Sequence, residues 1–271
     1  MNPLNAEAPI GIFDSGIGGL TVAHSINKIL PNERIVYFGD TQHLPYGNKS
    51  NDKINSYCIK ILDFLFKKKC KAIVVACNSA SSVAYKKIMH TCKNKVLVFN
   101  VIDPVMDYIR NNQNIKHVGV IGTTATITSN IYKTYIESIR KDLEVSSLAT
   151  PLLAGLIEED NKQLYEQGII ESYLKNEKLQ NIDSLILGCT HYPLIETEIN
   201  NFYNGEVEII SSIKHIGLAV KKELKRKKLL NKKNHKQKKY FFVSDYTENF
   251  QKKTKLFFPK SIILKEENIF S

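Results

Sequence analysis

No two of the five cysteines stand as a CxxC pair, and their number is odd. Both facts argue against a disulfide framework and for a reducing compartment. The first residues, MNPLNAEAPIGIFDSG, lack a basic segment followed by an apolar one, so no secretory signal is expected there. No apolar run approaches the ~20 residues of a transmembrane helix. These absences make a cytoplasmic placement, with no membrane partner, the expectation. A P-loop is missing too, because no Lys-Ser/Thr follows the glycines of GIFDSGIGGLTV at 11–22. Nor does the chain carry a helix-turn-helix, an RNA-binding aromatic motif or a zinc finger.

The net charge of +11 would suit a nucleic-acid ligand, but its distribution does not. Residues 221–239 (KKELKRKKLLNKKNHKQKK) hold 11 Lys/Arg against one Glu, which is +10 of the total. The favoured reading is a solvated helix end and loop; a salt-sensitive contact with nucleic acid or an anionic surface is the lesser one. The length of 271 residues, 43% of them hydrophobic, allows one large domain or two ordinary ones.

Strand and helix patterns alternate, which predicts βαβ units and a mostly parallel sheet. Strands are expected at Pro9–Phe13, Arg34–Gly39, Ala72–Ala76, Val96–Val101, His117–Ile121, Ser184–Leu187, Val207–Ile210 and Tyr240–Val243. The clearest helix runs from Asp52 to Lys69, with Ile54, Cys58, Ile61, Leu62 and Leu65 at helical spacing and lysines at its end. Further helices are expected over Ser79–His90, Thr128–Arg140 and Ser211–Lys228.

Two segments are nearly the same: IVVACNSAS at 73–81 and LILGCTHYP at 185–193. Each is an apolar run that stops at a cysteine and a polar residue. Cys77 and Cys189 therefore sit at the carboxyl ends of strands, where open α/β sheets bind ligands. Their separation of 112 residues, with the likeness of GIFDSG (11–16) to GVIGTT (119–124), suggests a half-chain repeat. A matching pair of thiols suits a reaction that needs one acid and one base of equal strength. Cys77 precedes a helix, whose N-terminal N–H groups should favour its thiolate. Cys58 and Cys92, and less firmly Cys70, read as small buried hydrophobes. Asp14 beside Ser15 reads as a proton relay or an ammonium contact, or else as a cap on the next helix. Tyr46 and Gly47, in the turn Pro45-Tyr46-Gly47 after Asp40, read as a carboxylate contact or an ordinary surface turn. A metal held by Cys77, Cys189 and His191, and a Cys-His acyl transferase, are alternatives; the first has no CxxC support and the second leaves one cysteine idle.

FDSGIGGLTV, GDTQHLPYG, ACNSAS and LGCTHYPL, in that order, resemble the cofactor-independent glutamate racemases, and PLLAGLIEED (151–160) resembles that family's acidic segment. Ser79 stands where the family usually has threonine, and the lysine run is a local departure. The resemblance implies a fold of two similar α/β domains, with mostly parallel sheets and the site in the cleft between them. It divides the chain into Met1–Phe99 with Ile210–Ser271, and Asn100–Ile209. It implies racemisation of glutamate, with D-glutamate feeding peptidoglycan synthesis, no pyridoxal phosphate and no metal. It assigns Cys77 to one enantiomer and Cys189 to the other, with Asp14 assisting Cys77, and Glu158 and His191 assisting Cys189. Ser15, Tyr46, Gly47, Asn78, Ser79, Thr123, Thr124 and Thr190, with Asp14 and His191, would hold the substrate. Family members are often homodimers.

Overall fold

The structure is a computed structural model and describes residues 5–93, 95–159, 168–233, 239–259 and 262–270. Among them the strands are β1 Ile10–Asp14, β2 Ile35–Gly39, β3 Ala72–Val75, β4 Leu97–Asn100, β5 His117–Gly122, β6 Glu144–Ala149, β7 Ser184–Gly188, β8 Glu208–Ile210, β9 Lys239–Val243 and β10 Ile262–Glu266. They form a six-stranded sheet in the order β10-β9-β2-β1-β3-β4 and a four-stranded sheet in the order β6-β5-β7-β8. Every pairing is parallel. Strands β1 to β4 and β5 to β8 thus lie in the same spatial order, so the half-chain repeat is present in the topology. In each sheet the chain steps to one side of its first strand and then crosses to the other. That creates a switch point between β1 and β3 and another between β5 and β7, where a crevice opens at the carboxyl ends.

Both faces of each sheet are covered, which is why the central strands read as unbroken apolar runs. In β1, Ile10 and Ile12 pack with Leu20 and Ala23 of the helix Gly18–Ile29. Phe13 points the other way, to Ile61 and Leu65 of the helix Asn51–Lys67. In β7, Leu185 and Leu187 fill one face and Ile186 the other. This is the two-residue alternation of a pleated strand.

The eight expected strands are observed within a residue or so at each end. β6 and β10 were not expected, and both are edge strands. Their residues, EVSSLA and IILKE, are only half buried or exposed, so neither carries the apolar run that marks a central strand. The expected helix Ser79–His90 is two helices, Asn78–Val83 and Tyr85–Cys92. The one expected over Thr128–Arg140 begins at Ile131, because Asn130 turns the chain with φ +54°. That expected over Ser211–Lys228 spans Ile216–Arg226, after a 3-10 turn at Ser212–Lys214. It buries Ile216, Val220 and Leu224, and Gly217 lets it approach the helix Gly18–Ile29: a Cβ there would meet Ile29 at 2.9 Å. Lys221, Lys222, Lys225 and Arg226 are exposed, as a solvated helix end requires; residues 234–238 of the basic run lie outside the described residues. No helix among the described residues is long and apolar enough to cross a membrane.

A buried ion pair ties distant segments beneath the first sheet. The three protons of the Lys71 ammonium reach Glu33 Oε2 at 2.5 Å, the Ala6 carbonyl at 2.5 Å and the Leu229 carbonyl at 2.9 Å. The second Glu33 oxygen accepts the Asn231 N–H at 2.8 Å. Both ions are therefore fully hydrogen-bonded, the condition under which a buried pair is tolerated.

Candidate active site

Asp14 ends β1 and is wholly buried. Its Oδ2 accepts the Gly19 N–H at 2.7 Å and the Gly16 N–H at 3.2 Å. One oxygen therefore does cap the turn. The other, Oδ1, is buried without a hydrogen-bond partner among the described residues. Burial pushes the Asp14 carboxyl above its ordinary range, against the pull of the His191 charge and the two N–H groups. Gly19 is needed for this approach, since a Cβ would lie 2.4 Å from Asp14 Cβ and 2.6 Å from the Tyr37 hydroxyl. Just past the end of the neighbouring β3, Cys77 precedes the helix Asn78–Val83, and its sulfur lies 3.8 Å from Ser15 Oγ. The helix was expected to favour the Cys77 thiolate; the outcome is the reverse. Burial, with the charge of Asp14, raises this thiol well above the usual range, outweighing the Ala80 N–H and the Ser15 hydroxyl. Desolvation of the sulfur wins over the helix end.

Cys189 directly follows β7, with its sulfur 3.6 Å from His191 Nδ1. The other ring nitrogen, Nε2, meets Glu158 Oε2 at 2.5 Å. Glu158 ends the helix Leu153–Glu158 and reaches to the first sheet's side of the cleft, where its oxygens accept the Ile17 N–H at 3.0 and 3.2 Å. A carboxylate is well placed there, at the entry to the helix Gly18–Ile29. The glycines make room for it. A Cβ on Gly16 would lie 2.6 Å from Glu158 Oε2, and one on Gly18 would lie 2.6 Å from His191 Nδ1 and from Thr190 Oγ1. The Gly-rich turn is the surface on which Glu158, His191 and Thr190 rest.

Burial works against the His191 imidazolium, but Cys189 and Glu158 together outweigh it and raise the ring's pKa well above 6.5. A histidine raised on folding contributes stability that is full below pH 6.5 and is lost as pH rises through the folded value. The unfolding temperature is therefore expected to fall from pH 6.5 to about 7.5, a window below the ordinary cysteine value of about 8.5. Glu158→Gln should flatten that fall. Thermal melts of both proteins across the window check it, and parallel slopes would refute the coupling.

The remaining expected residues line the same junction. Ser79 Oγ and Thr123 Oγ1 are 2.8 Å apart, joining the end of β3 to the end of β5. Gly47 presses on Thr123, to which a Cβ would come within 2.5 Å. Thr123 is buried, whereas Thr124 is exposed and lines a cavity of about 380 Å³ with Gly47, Lys49 and Thr128. Tyr46 is buried, and its hydroxyl donates to Asp40 Oδ2 at 2.6 Å, so its oxygen is engaged within the protein. The Thr190 carbonyl accepts from Thr21 at 3.3 Å. Asn78 Nδ2 donates to the Tyr132 hydroxyl at 2.7 Å. Cys58, Cys70 and Cys92 are buried and packed in the apolar layer beside the helix Asn51–Lys67.

Several supporting residues escaped the sequence reading. Asp40 accepts from Tyr46, from Ser244 Oγ at 2.8 Å and, if that nitrogen is protonated, from His43 Nδ1 at 2.8 Å. Asn249 donates to the Glu158 carbonyl at 2.5 Å, bringing the C-terminal segment to the site. Only Asp40 had a signal, its place at a strand end. Among the described residues no group of three or more His, Cys, Asp or Glu side chains is arranged to hold a metal ion.

Residues 10–216 match the family model described as Asp/Glu/Hydantoin racemase. The glutamate racemase of Chlorobium phaeobacteroides is 39% identical over 252 residues, covering 93% of this chain and 92% of that one. The crystal structure of the glutamate racemase of Francisella tularensis in complex with D-glutamate is similar with a TM-score of 0.87 and 35% identity, covering 96% of this chain and 97% of that one. A glutamate racemase isoform of Bacillus anthracis gives a TM-score of 0.89 at 32% identity, with the same coverage of both chains. The chain belongs to the Asp/Glu/hydantoin racemase family.

Proposed function

We propose that this chain interconverts L-glutamate and D-glutamate by proton transfer at the α-carbon between two cysteines, without a cofactor, and so supplies D-glutamate for peptidoglycan synthesis. The observation that carries the reading is the pair of thiols at equivalent strand ends of two like sheets, each with its own polar partners: Ser15 and Asp14 near Cys77, His191 and Glu158 beside Cys189. The shared activity of the relatives supports glutamate as substrate.

An α-proton is a very weak acid, so the thiolate that removes it needs the developing negative charge stabilised and water excluded. Both cysteines are buried, which serves the second need. The substrate's ammonium brings positive charge to a site rich in acids, and an adjacent cation lowers the cost of a thiolate. In one direction Cys77 takes the proton while Cys189 gives one to the opposite face; in the other the roles exchange. Ser79, Thr123, Thr190 and the Gly47 backbone serve the carboxylates, and Asn78 serves the ammonium. The rate should be bell-shaped in pH, reporting the pair and not one cysteine.

The test is glutamate in D2O with no added cofactor and aspartate in parallel. Deuterium is expected at the α-carbon as optical rotation decays. Loss of rotation without deuterium, or activity with aspartate alone, would defeat the reading. We further read the chain as a cytoplasmic homodimer, with Asn100–Ile209 as one domain and the rest as the other. Sedimentation at enzyme-assay concentrations tests the dimer.

A further inference from the structure

We infer that Tyr132 is a positioning residue, whose hydroxyl holds the Asn78 amide so that its Oδ1 meets the substrate's ammonium. This rests on the reading of the site as one that binds glutamate. Asn78 begins the helix after β3, and Tyr132 lies on the helix Ile131–Ile139 beside the second sheet, so their 2.7 Å bond joins the two halves. Both residues are buried, at 1% and 2% exposure. The bond engages the amide nitrogen and leaves Oδ1 buried without a partner among the described residues. Asp14 Oδ1, at the end of the adjacent β1, is in the same condition. Buried acceptors without donors are costly and rare, so two at neighbouring strand ends call for a donor from the ligand. Near neutral pH the ammonium carries all of glutamate's hydrogen-bond donors, because both carboxylates only accept. A freely turning Asn78 amide would present its NH2 to that ammonium half the time; the phenol oxygen, by engaging the nitrogen, keeps the carbonyl oxygen toward the ligand.

Tyr132→Phe keeps the ring and removes only the oxygen. It is expected to raise KM for both enantiomers about fivefold, the worth of one ordinary hydrogen bond, with kcat nearly unchanged. Inhibition by glutarate, which has both carboxylates and no ammonium, should stay at its wild-type strength. Adding Tyr132→Phe to Asn78→Ala should raise KM no further, since Tyr132 acts through Asn78. An unchanged KM, an equal weakening of glutarate, or additive losses in the double variant would overturn the inference. A wild-type protein that leaves glutamate unracemised would sink the functional reading and this inference with it, and that result is seen before any variant is assayed.

Discussion

Cys77→Ser and Cys189→Ser are each expected to lower kcat/KM for racemisation by about a hundred- to ten-thousandfold, the range over which one positioned acid or base acts. A serine hydroxyl is too weak an acid to replace a thiol in either role. Because the equilibrium constant of a racemisation is 1, each variant must lose kcat/KM equally in both directions. The asymmetry between the thiols therefore has to be read by isotope exchange. In each variant the surviving cysteine should still face the α-hydrogen of one enantiomer. It is expected to exchange that hydrogen for deuterium without inversion, and the two variants should do so with opposite enantiomers. Mass spectrometry of each recovered enantiomer measures it. Exchange of the same enantiomer by both variants, or racemisation at the wild-type rate by either, would end the two-thiol account. The partners of the thiols make the pair unequal despite the shared strand position. Cys77 has Ser15 nearby and feels the charge of Asp14, whereas Cys189 lies beside a histidine that Glu158 holds.

The largest effect on stability is expected at Lys71. Lys71→Met removes the cation that meets Glu33 beneath the first sheet, leaving a buried carboxylate that keeps, among the described residues, the Asn231 N–H alone. Breaking a buried pair from one side costs about 3–5 kcal/mol. The loss should appear as a lower denaturant midpoint, with KM unchanged in the protein that remains folded. Replacing both ions, Lys71→Met with Glu33→Met, should recover much of it, because the double change leaves no orphan charge. A single variant as stable as the wild type would show that the pair contributes little. The pair joins the segment before β1, the approach to β2, the approach to β3 and the segment after the helix Ile216–Arg226, so its loss should loosen the first sheet's base and not the cleft.

Much of the site was legible because its signals are local. Asp14-Ser15, Cys77-Asn78-Ser79, Thr123 and Cys189-Thr190-His191 each follow an apolar strand, and chain order alone puts them at carboxyl ends. Glu158 had no such signal; only the resemblance of its acidic segment pointed to it. Asn249 and Tyr132 had none either, since each acts across a distance the local pattern does not encode. The edge strands β6 and β10 were lost for the opposite reason: a strand covered on few sides needs no apolar run.

The sequence by itself determined the alternation of strand and helix, the repeat of two cysteine-bearing strand ends and the resemblance to a racemase family. Those are properties of periodicity and of short motifs, which a single strand or turn contains whole. Tertiary structure decided how the halves meet: Glu158 on the Ile17 N–H, His191 and Thr190 against Gly18, and Ser79 beside Thr123. It also decided the state of the Cys77 thiol. The helix after Cys77 argued for an acidic cysteine, yet burial raised its pKa. Desolvation depends on everything packed around the sulfur, and that surrounding is assembled from segments far apart in the chain.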